Sequence, residues 1–361
     1  MNAPAVLLID TAAGPTHVTA PAPRETWWAL ADQDEGTHVT QTPTWLDCLC
    51  ATGPYRDASR LYEFQDGSRL VLPLARRRQR PGWLDTEESW PADWGIGGPL
   101  SQGRVSRAKA RAVFDDLARR PVLRVGVRFR PGDDDVWASA APASFREEPH
   151  MTQVVNLDGG FDTVWERRFH SRVRRHVRRA ESSGVEVQVD RTGRLVPVFY
   201  DLYKQSIVRW AQQQHEPLAL ARWRRGRAFP RQWLEAVAAG FGESCTIWTA
   251  WCAGEPAAAI VVLRHGNQAK LWRGAMNREL AHPVRANFLL HRLAIEDACA
   301  TGCRRYDMGE STPGSSLASF KDGFGADSFQ SPRYFRERLP VSAAERRLRE
   351  AVKRVIRFQD A

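Results

Sequence analysis

Three strand-length apolar runs follow one another with almost nothing between them, and this meander restricts the fold more than any other stretch. They are Cys245–Trp251, Ala257–Leu263 and Gln268–Gly274, joined through Ala253-Gly254-Glu255 and His265-Gly266-Asn267. Connections that short make neighbouring strands antiparallel, because a parallel return needs a crossover of a dozen or more residues. A helical pattern follows from about Pro283 to Ala300. It turns Leu289, Leu290, Leu293, Ala294 and Ala298 inward and places proline in its first turn. Arg304–Met308 is then a short strand, Ser316–Phe324 a short helix that Gly325 can end, and Ser328–Arg336 a last strand. Upstream, Gln153–Leu157 and Val185–Val189 are strand-like. Asp162–Ser182 is a long helix with Trp165, Phe169, Val173 and Val177 spaced by four. Leu195–Arg209 and Arg231–Ala239 are further helices.

A chain of 361 residues is too long for one such unit. The first half has its own strands, Arg60–Phe64 and Arg69–Ala75, around the hairpin signal Asp66-Gly67. Helical segments at Thr26–Ala31, Thr44–Ala51 and Ser106–Arg119 and a strand at Val122–Phe129 accompany them. The expected organisation is a loose leader over 1–25, a first sheet-and-helix domain over 26–150, a second over 151–340, and an amphipathic tail helix over 341–361. The fold class is α+β, with mostly antiparallel sheets flanked by helices. No apolar run approaches the ~20 residues of a membrane helix, so no integral membrane contact is expected, and the chain is read as cytoplasmic.

Several chemistries lose their footing. Gly-x-Ser-x-Gly, the Gly-x4-Gly-Lys phosphate loop and His-Glu-x-x-His do not occur. The six cysteines form no Cys-x-x-Cys, so no metal site is expected and the thiols are read as reduced. Charge is more informative. Residues 1–150 hold 18 basic and 20 acidic side chains, a net of −2, whereas 151–361 hold 34 and 22, a net of +12. That asymmetry points the second half toward a polyanion. Its arginines form clusters: Arg168, Arg172, Arg174, Arg175, Arg178 and Arg179 on the long helix, then Arg222, Arg224, Arg225 and Arg227 around Trp223. A charge run is usually a solvated face. Phosphate contact is the alternative, and the clusters are candidate nucleic-acid-binding residues.

The motifs from Leu271 to Phe335 carry a resemblance. They are Trp272-Arg273-Gly274, Arg285-Ala286-Asn287 before a helix, Gly302-Cys303-Arg304-Arg305-Tyr306-Asp307-Met308-Gly309-Glu310-Ser311, and Phe320-Lys321-Asp322-Gly323-Phe324-Gly325-Ala326. This order resembles the FemAB-like branch of the GNAT-fold acyltransferases, with Arg174–Glu181 similar to that family's basic helix. The resemblance implies a tandem of two GNAT-like domains and an amide-forming acyltransferase. It implies no bound cofactor, with aminoacyl-tRNA or, alternatively, acyl-CoA as co-substrate. The acceptor would be an amine on a small molecule or peptidoglycan precursor. The non-catalytic alternative is an RNA-binding protein. By the same resemblance Lys321 and Phe320 lie at the transfer site, where an ammonium can stabilise an oxyanion. Asp307 and Glu310 are candidates to orient the amine, although a strand-end Asp also bonds loop amides. Arg273, Arg285, Asn287 and Ser311 are donor-binding candidates. The segment His282–Phe288 has none of the glycines that let a backbone wrap the pyrophosphate of CoA.

Overall fold

A computed structural model of the chain describes residues 5–91, 94–132, 134–356 and 358. The predicted meander is present as Cys245–Cys252, Glu255–His265 and Gln268–Met276, paired antiparallel in sequence order. It forms the middle of a seven-stranded sheet. Glu186–Asp190 lies outside its first strand. Arg305–Glu310, Met151–Asn156 and Ala326–Gln330 follow beyond its third. Arg305–Glu310 runs parallel to Gln268–Met276, because the helix Ala286–Ala300 carries the chain back across the sheet.

Alternation sorts the sheet's two faces. Trp248, Ile260, Val262, Ala269, Tyr306 and Met308 face the helices Ser171–Ser182 and Ala286–Ala300. Ile247, Val261, Leu263 and Trp272 face Val196–Gln213, Leu218–Ala228 and Arg231–Phe241. This second face also receives Trp27, Trp45, Leu49 and Trp94 from the first half. Trp45 meets Trp94 and Trp272 edge-on, with centroids 5.2 Å apart in each case. The two units therefore share one core.

The first unit has a five-stranded and a six-stranded sheet. Two chain segments feed both. Tyr55–Asp57 continues into Arg60–Glu63, and Arg69–Leu72 continues past Pro73 into Ala75–Arg77. The helix Arg107–Ala118, capped by Ser106, buries Phe114 against Phe129, Trp137 and Tyr334. Under it, Arg60 makes a forked pair with Asp116 at 2.5 and 2.8 Å, which Tyr62 joins at 2.7 Å.

Four expectations are corrected. Within the supposed loose leader, Ala5–Thr11 and Gly14–Ala20 form a hairpin that extends the five-stranded sheet through His17–Thr19; Ala/Pro/Thr composition hid the period-two burial of the second strand. The domain limit at 340 fails, because the last strand is two strands in different sheets. Ala326–Gln330 stays in the second unit, while Arg333–Glu337 crosses at Ser331-Pro332 to pair with Arg124–Arg128 of the first. The long helix is broken. A helical turn Gly160–Thr163 and a π-turn Val164–Arg168 end at Phe169, whose backbone is extended, before Ser171–Ser182 begins. The tail helix runs over Val341–Val355; residues 357 and 359–361 of the expected span lie outside the described ones.

Candidate acyl-transfer cleft

The parallel strands Gln268–Met276 and Arg305–Glu310 are paired only through Gln268↔Arg305, Ala269↔Tyr306 and Lys270↔Asp307. Beyond Lys270 and Asp307 pairing stops, and the strands part toward their C-terminal ends. From Leu271 to Ala275 that side of the strand pairs with no neighbour among the described residues, and this gap between the two strand ends is a candidate cleft whose backbone is able to bind an extended ligand; it closes at Met276, whose amide and carbonyl are bonded to Ser206 and Arg209.

At the point of parting Asp307 is 1 % exposed. Its Oδ2 accepts from Lys270 Nζ at 2.5 Å, its Oδ1 from Thr152 Oγ1 at 3.0 Å and from the Gly309 amide at 2.6 Å. His38 Nδ1, from the first unit, stands 3.7 Å from Oδ2. Burial pushes the Asp307 carboxyl up, but Lys270, His38 and the Gly309 amide outweigh it and hold it well below the usual carboxylate range. Burial likewise lowers His38 to about 4, against the pull of Asp307. The candidate role of Asp307 in orienting an amine does not survive this geometry. Both oxygens are committed, and the carboxylate fastens its own strand to Gln268–Met276 and Met151–Asn156, with the neutral His38 ring packed beside it. Gly309 adopts φ +78°, a conformation that suits glycine, so that its amide turns back to Asp307.

Lys321 also differs from the sequence-based expectation of an open ammonium. It is 2 % exposed, and Nζ donates to the carbonyls of Gly309 at 2.9 Å and Glu310 at 2.6 Å. It ties the helix Ser316–Asp322 to the strand end that borders the cleft. Burial lowers its pKa to about 8; Asp307 and Glu310 pull the other way. Beside it His291 is buried between Phe320 and Phe324, at 5.3 and 5.4 Å, with Nδ1 unpartnered. Burial first and then Lys321 lower His291 to about 3, so the ring is neutral. Phe320 is half-buried and packs on Phe288 and Phe324.

Glu310 is the last residue of its strand and is bound by Arg128 and by His150 Nδ1, the latter at 3.0 Å. These two partners overcome the effect of burial and bring its carboxyl down to about 2. Ser311 donates to Gln153, which in turn reaches Asp322 at 2.5 Å. Asn287 donates to Met276 Sδ at 3.2 Å, bridging the far end of the cleft. Arg273 stacks over Phe229 at 4.9 Å and Trp272 at 5.6 Å.

The approach to the helix Ala286–Ala300 is not an open loop. Arg278–Val284 is already helical and contains Pro283. Arg285 alone, at φ 62°, kinks it into the next helix, and its amide is spent on Ala281 and His282 carbonyls. Its guanidinium meets His282 Nε2 at 2.9 Å.

The arginines sort by use. Arg172, Arg175, Arg178 and Arg179 are exposed. Arg174 is not in that group, because Nη1 donates to the carbonyls of Trp165, Glu166 and Phe169 at the broken turn. Arg168 is half-buried, its backbone crossing Gly325, where a Cβ would lie 2.6 Å from its carbonyl oxygen. Arg224 forks onto buried Glu216 at 3.0 and 2.8 Å, and Arg225 binds Gln214 and covers Trp210 at 4.6 Å. Arg227 covers exposed Trp223, and Arg222 is exposed. The two clusters do not converge, for their helices pack on opposite faces of the large sheet. What does converge is a corner the sequence did not announce. His176 is lowered by burial and then by Arg285, Arg172, Arg175 and Arg179, and His282 by partial desolvation and then by Arg285, Arg278 and Arg179. The helices Ser171–Ser182 and Ala286–Ala300 pack there, His176 lying 4.7 Å from Phe288 while Asn287 contacts Met276, so the exposed row of the basic helix and the Arg278–Arg285 segment form one positive field near the end of the Gln268–Met276 strand.

Sequence reasoning missed Lys270, His38, His150, Arg128 and the unpartnered His291. Lys270 had a signal, being one of five lysines in the chain and standing in an apolar strand. His38, Arg128 and His150 lie more than 150 positions from Asp307 and Glu310, and no local pattern marks them; His291, 16 positions before Asp307, reads from the sequence as a structural or exposed helix residue.

Comparison with known proteins agrees with this geometry. Residues 167–322 match the acetyltransferase (GNAT) domain family. The structure is similar to FemX over 88% of this chain and 96% of that one, with TM-score 0.63 and 13% identity. It is similar to the C-terminal domain of a putative lysylphosphatidylglycerol synthetase from Agrobacterium fabrum over 91% and 95%, with TM-score 0.52 and 13% identity. A tandem GNAT protein from the clavulanic acid biosynthesis pathway aligns over 92% and 98%, with TM-score 0.51 and 13% identity. At such identities the likeness is one of fold. No curated protein matches the chain.

Proposed function

We propose, from the premise that this chain is an acyltransferase with a GNAT domain in a tandem α+β fold, that it forms amides by moving an aminoacyl group from aminoacyl-tRNA to an amine. The observation that carries the reading is the positive corner of Arg172, Arg175, Arg179, Arg278 and Arg285 near the end of the Gln268–Met276 strand. A polyphosphate donor seats its backbone there and lays its aminoacyl end against the Leu271–Ala275 edge. The helical Arg278–Val284 segment supports a donor other than CoA, since it replaces a glycine loop and the Arg285 amide is bonded within it. FemX and the lysylphosphatidylglycerol synthetase domain, the latter named for an aminoacyl lipid, add support at the level of fold.

In this reading a free amine attacks the aminoacyl ester carbonyl, and the ribose oxygen leaves with a proton that the amine gives up. Lys321 keeps Gly309 and Glu310 in place at the cleft and lends its charge to the developing oxyanion. Phe320 walls the site, Glu310, held by Arg128 and His150, borders the acceptor side, and Arg273, Asn287 and Ser311 shape the donor side. The acceptor is an amine on a cell-wall precursor or a small metabolite, and the reaction takes place in the cytoplasm. Acyl-CoA is the second donor reading, supported by the parting of parallel strands beside a helix start.

The test is product formation from amino acid, ATP, the matching synthetase and bulk tRNA. RNase treatment and the triple substitution Arg172→Glu, Arg175→Glu, Arg179→Glu should both abolish it, with the triple variant's melting temperature unchanged. Transfer should also fall steeply with salt, because each duplex phosphate contact releases roughly 0.9 counterion. RNase-resistant turnover of acyl-CoA would overturn the tRNA reading.

A further inference from the structure

The helix Val341–Val355 is bound to the rest of the chain through its first turn. The Ser342 amide donates to both Glu337 carboxylate oxygens at 3.2 Å, and Arg124 reaches the Ser342 hydroxyl at 3.4 Å. From Ala344 to Val352 every residue is exposed. Yet the helix is amphipathic. At about 100° per residue, Val341, Ala344, Leu348, Ala351, Val352 and Val355 fall within roughly 100° of arc. Leu348 is 67% exposed and Val355 82%. Arg347 and Arg354 border this stripe on one side, Arg349 and Lys353 on the other. Glu345 shares the second border, and Glu350 lies opposite. The helix carries five basic and two acidic side chains in all.

We propose that this helix is an interfacial anchor that lays its aliphatic stripe into the surface of an anionic lipid bilayer. Cationic borders on both sides of an apolar stripe are what such a surface selects. Arginine and lysine stems run along the apolar face and put their charges at the lipid phosphates. The borders also argue against the other occupants. A second copy laid on the same stripe would set basic border against basic border, and a nucleic acid would leave Leu348, Val352 and Val355 in water. Peripheral seating requires no spanning segment, and no described helix is long and apolar enough to cross a membrane. The anchor is independent of which acyl donor is used.

The experiment is co-sedimentation of the full chain with vesicles of phosphatidylglycerol and phosphatidylcholine in equal parts, and with phosphatidylcholine alone. Binding is expected to the mixed vesicles only, weakening as salt rises. Leu348→Glu with Val352→Glu should weaken it at least about tenfold, and Arg347→Glu with Arg354→Glu comparably, since apolar burial and lipid charge act together. Both pairs lie on exposed positions and should keep the wild-type melting temperature. Three results would overturn the proposal. The chain could fail to sediment with the mixed vesicles at low salt. The Leu348/Val352 variant could bind as wild type, which would hand the binding to arginines elsewhere. Sedimentation velocity could show a dimer that the same variant dissolves, which would assign the stripe to a second copy.

Discussion

Lys321→Met removes a buried cation and keeps most of its length. At neutral pH the wild-type ammonium sits at 2 % exposure and donates to the Gly309 and Glu310 carbonyls. Losing the donor strands two part-buried acceptors, a cost toward the low end of about 1–3 kcal/mol. The cost should depend on pH with a defined sign. The folded-state pKa of Lys321 is about 8, against 10.5 for a free lysine. Between those values the unfolded chain holds a proton that the folded chain has released, so wild-type stability rises with pH across the window. The gain approaches about 3 kcal/mol at most. A neutral amine still donates to both carbonyls, so the hydrogen bonds survive. The methionine variant lacks the titration. Urea unfolding of both proteins from pH 7 to 10.5 should therefore show the wild-type advantage widening above pH 8, while other titrating groups cancel in the difference. Transfer activity should drop about 10²–10³-fold in the variant at a temperature where it remains folded. Lys321→Arg should not rescue it, because a guanidinium fork does not fit a closed site shaped for an ammonium. Parallel stability curves would refute the desolvated lysine, and activity within a few-fold of wild type would refute its place at the reaction.

Asp307→Asn should cost about 3–5 kcal/mol, since it leaves Lys270 buried beside a neutral amide, and denaturant titration measures it directly. Because the native carboxyl is held low, its contribution is complete above the ordinary value of 3.8 and is lost as pH falls below it, so the two proteins should converge in acid. Trp45→Ala should destabilise by about 3–5 kcal/mol and loosen both units at once, visible as a single cooperative loss in hydrogen exchange, because its ring lies in their common core. Gly309→Ala forces a β-carbon to φ +78° and should cost about 1–2 kcal/mol while lowering transfer, through a shifted strand end.

The sequence by itself determined the elements whose pattern is local. The meander from Cys245 to Met276 followed from turn length and alternation. The inner face of Ala286–Ala300 followed from its period, as did the buried Val173, Val177 and Ala180 of the basic helix. The motif order placed Arg305–Glu310 and Ser316–Asp322 next to each other, and the structure joins them through Lys321. What local pattern does not encode is which surface a segment leaves open. Lys321 has the residue type of a reactive ammonium, but three-dimensional packing turned it onto two carbonyls. Arg174, Arg224 and Arg225 have the same local chemistry as Arg172 and Arg175. Only the broken turn at Phe169, the buried Glu216 and the neighbouring Gln214 show which of them are already spent. The passage of Arg333–Glu337 into the first unit, and of His38 toward Asp307, depends on contacts between residues more than 200 positions apart. Burial and charge pairing at such range are properties of the assembled core, where desolvation makes each polar group's partner decisive. Tertiary structure therefore decided the cleft, the committed carboxylate and the cationic corner.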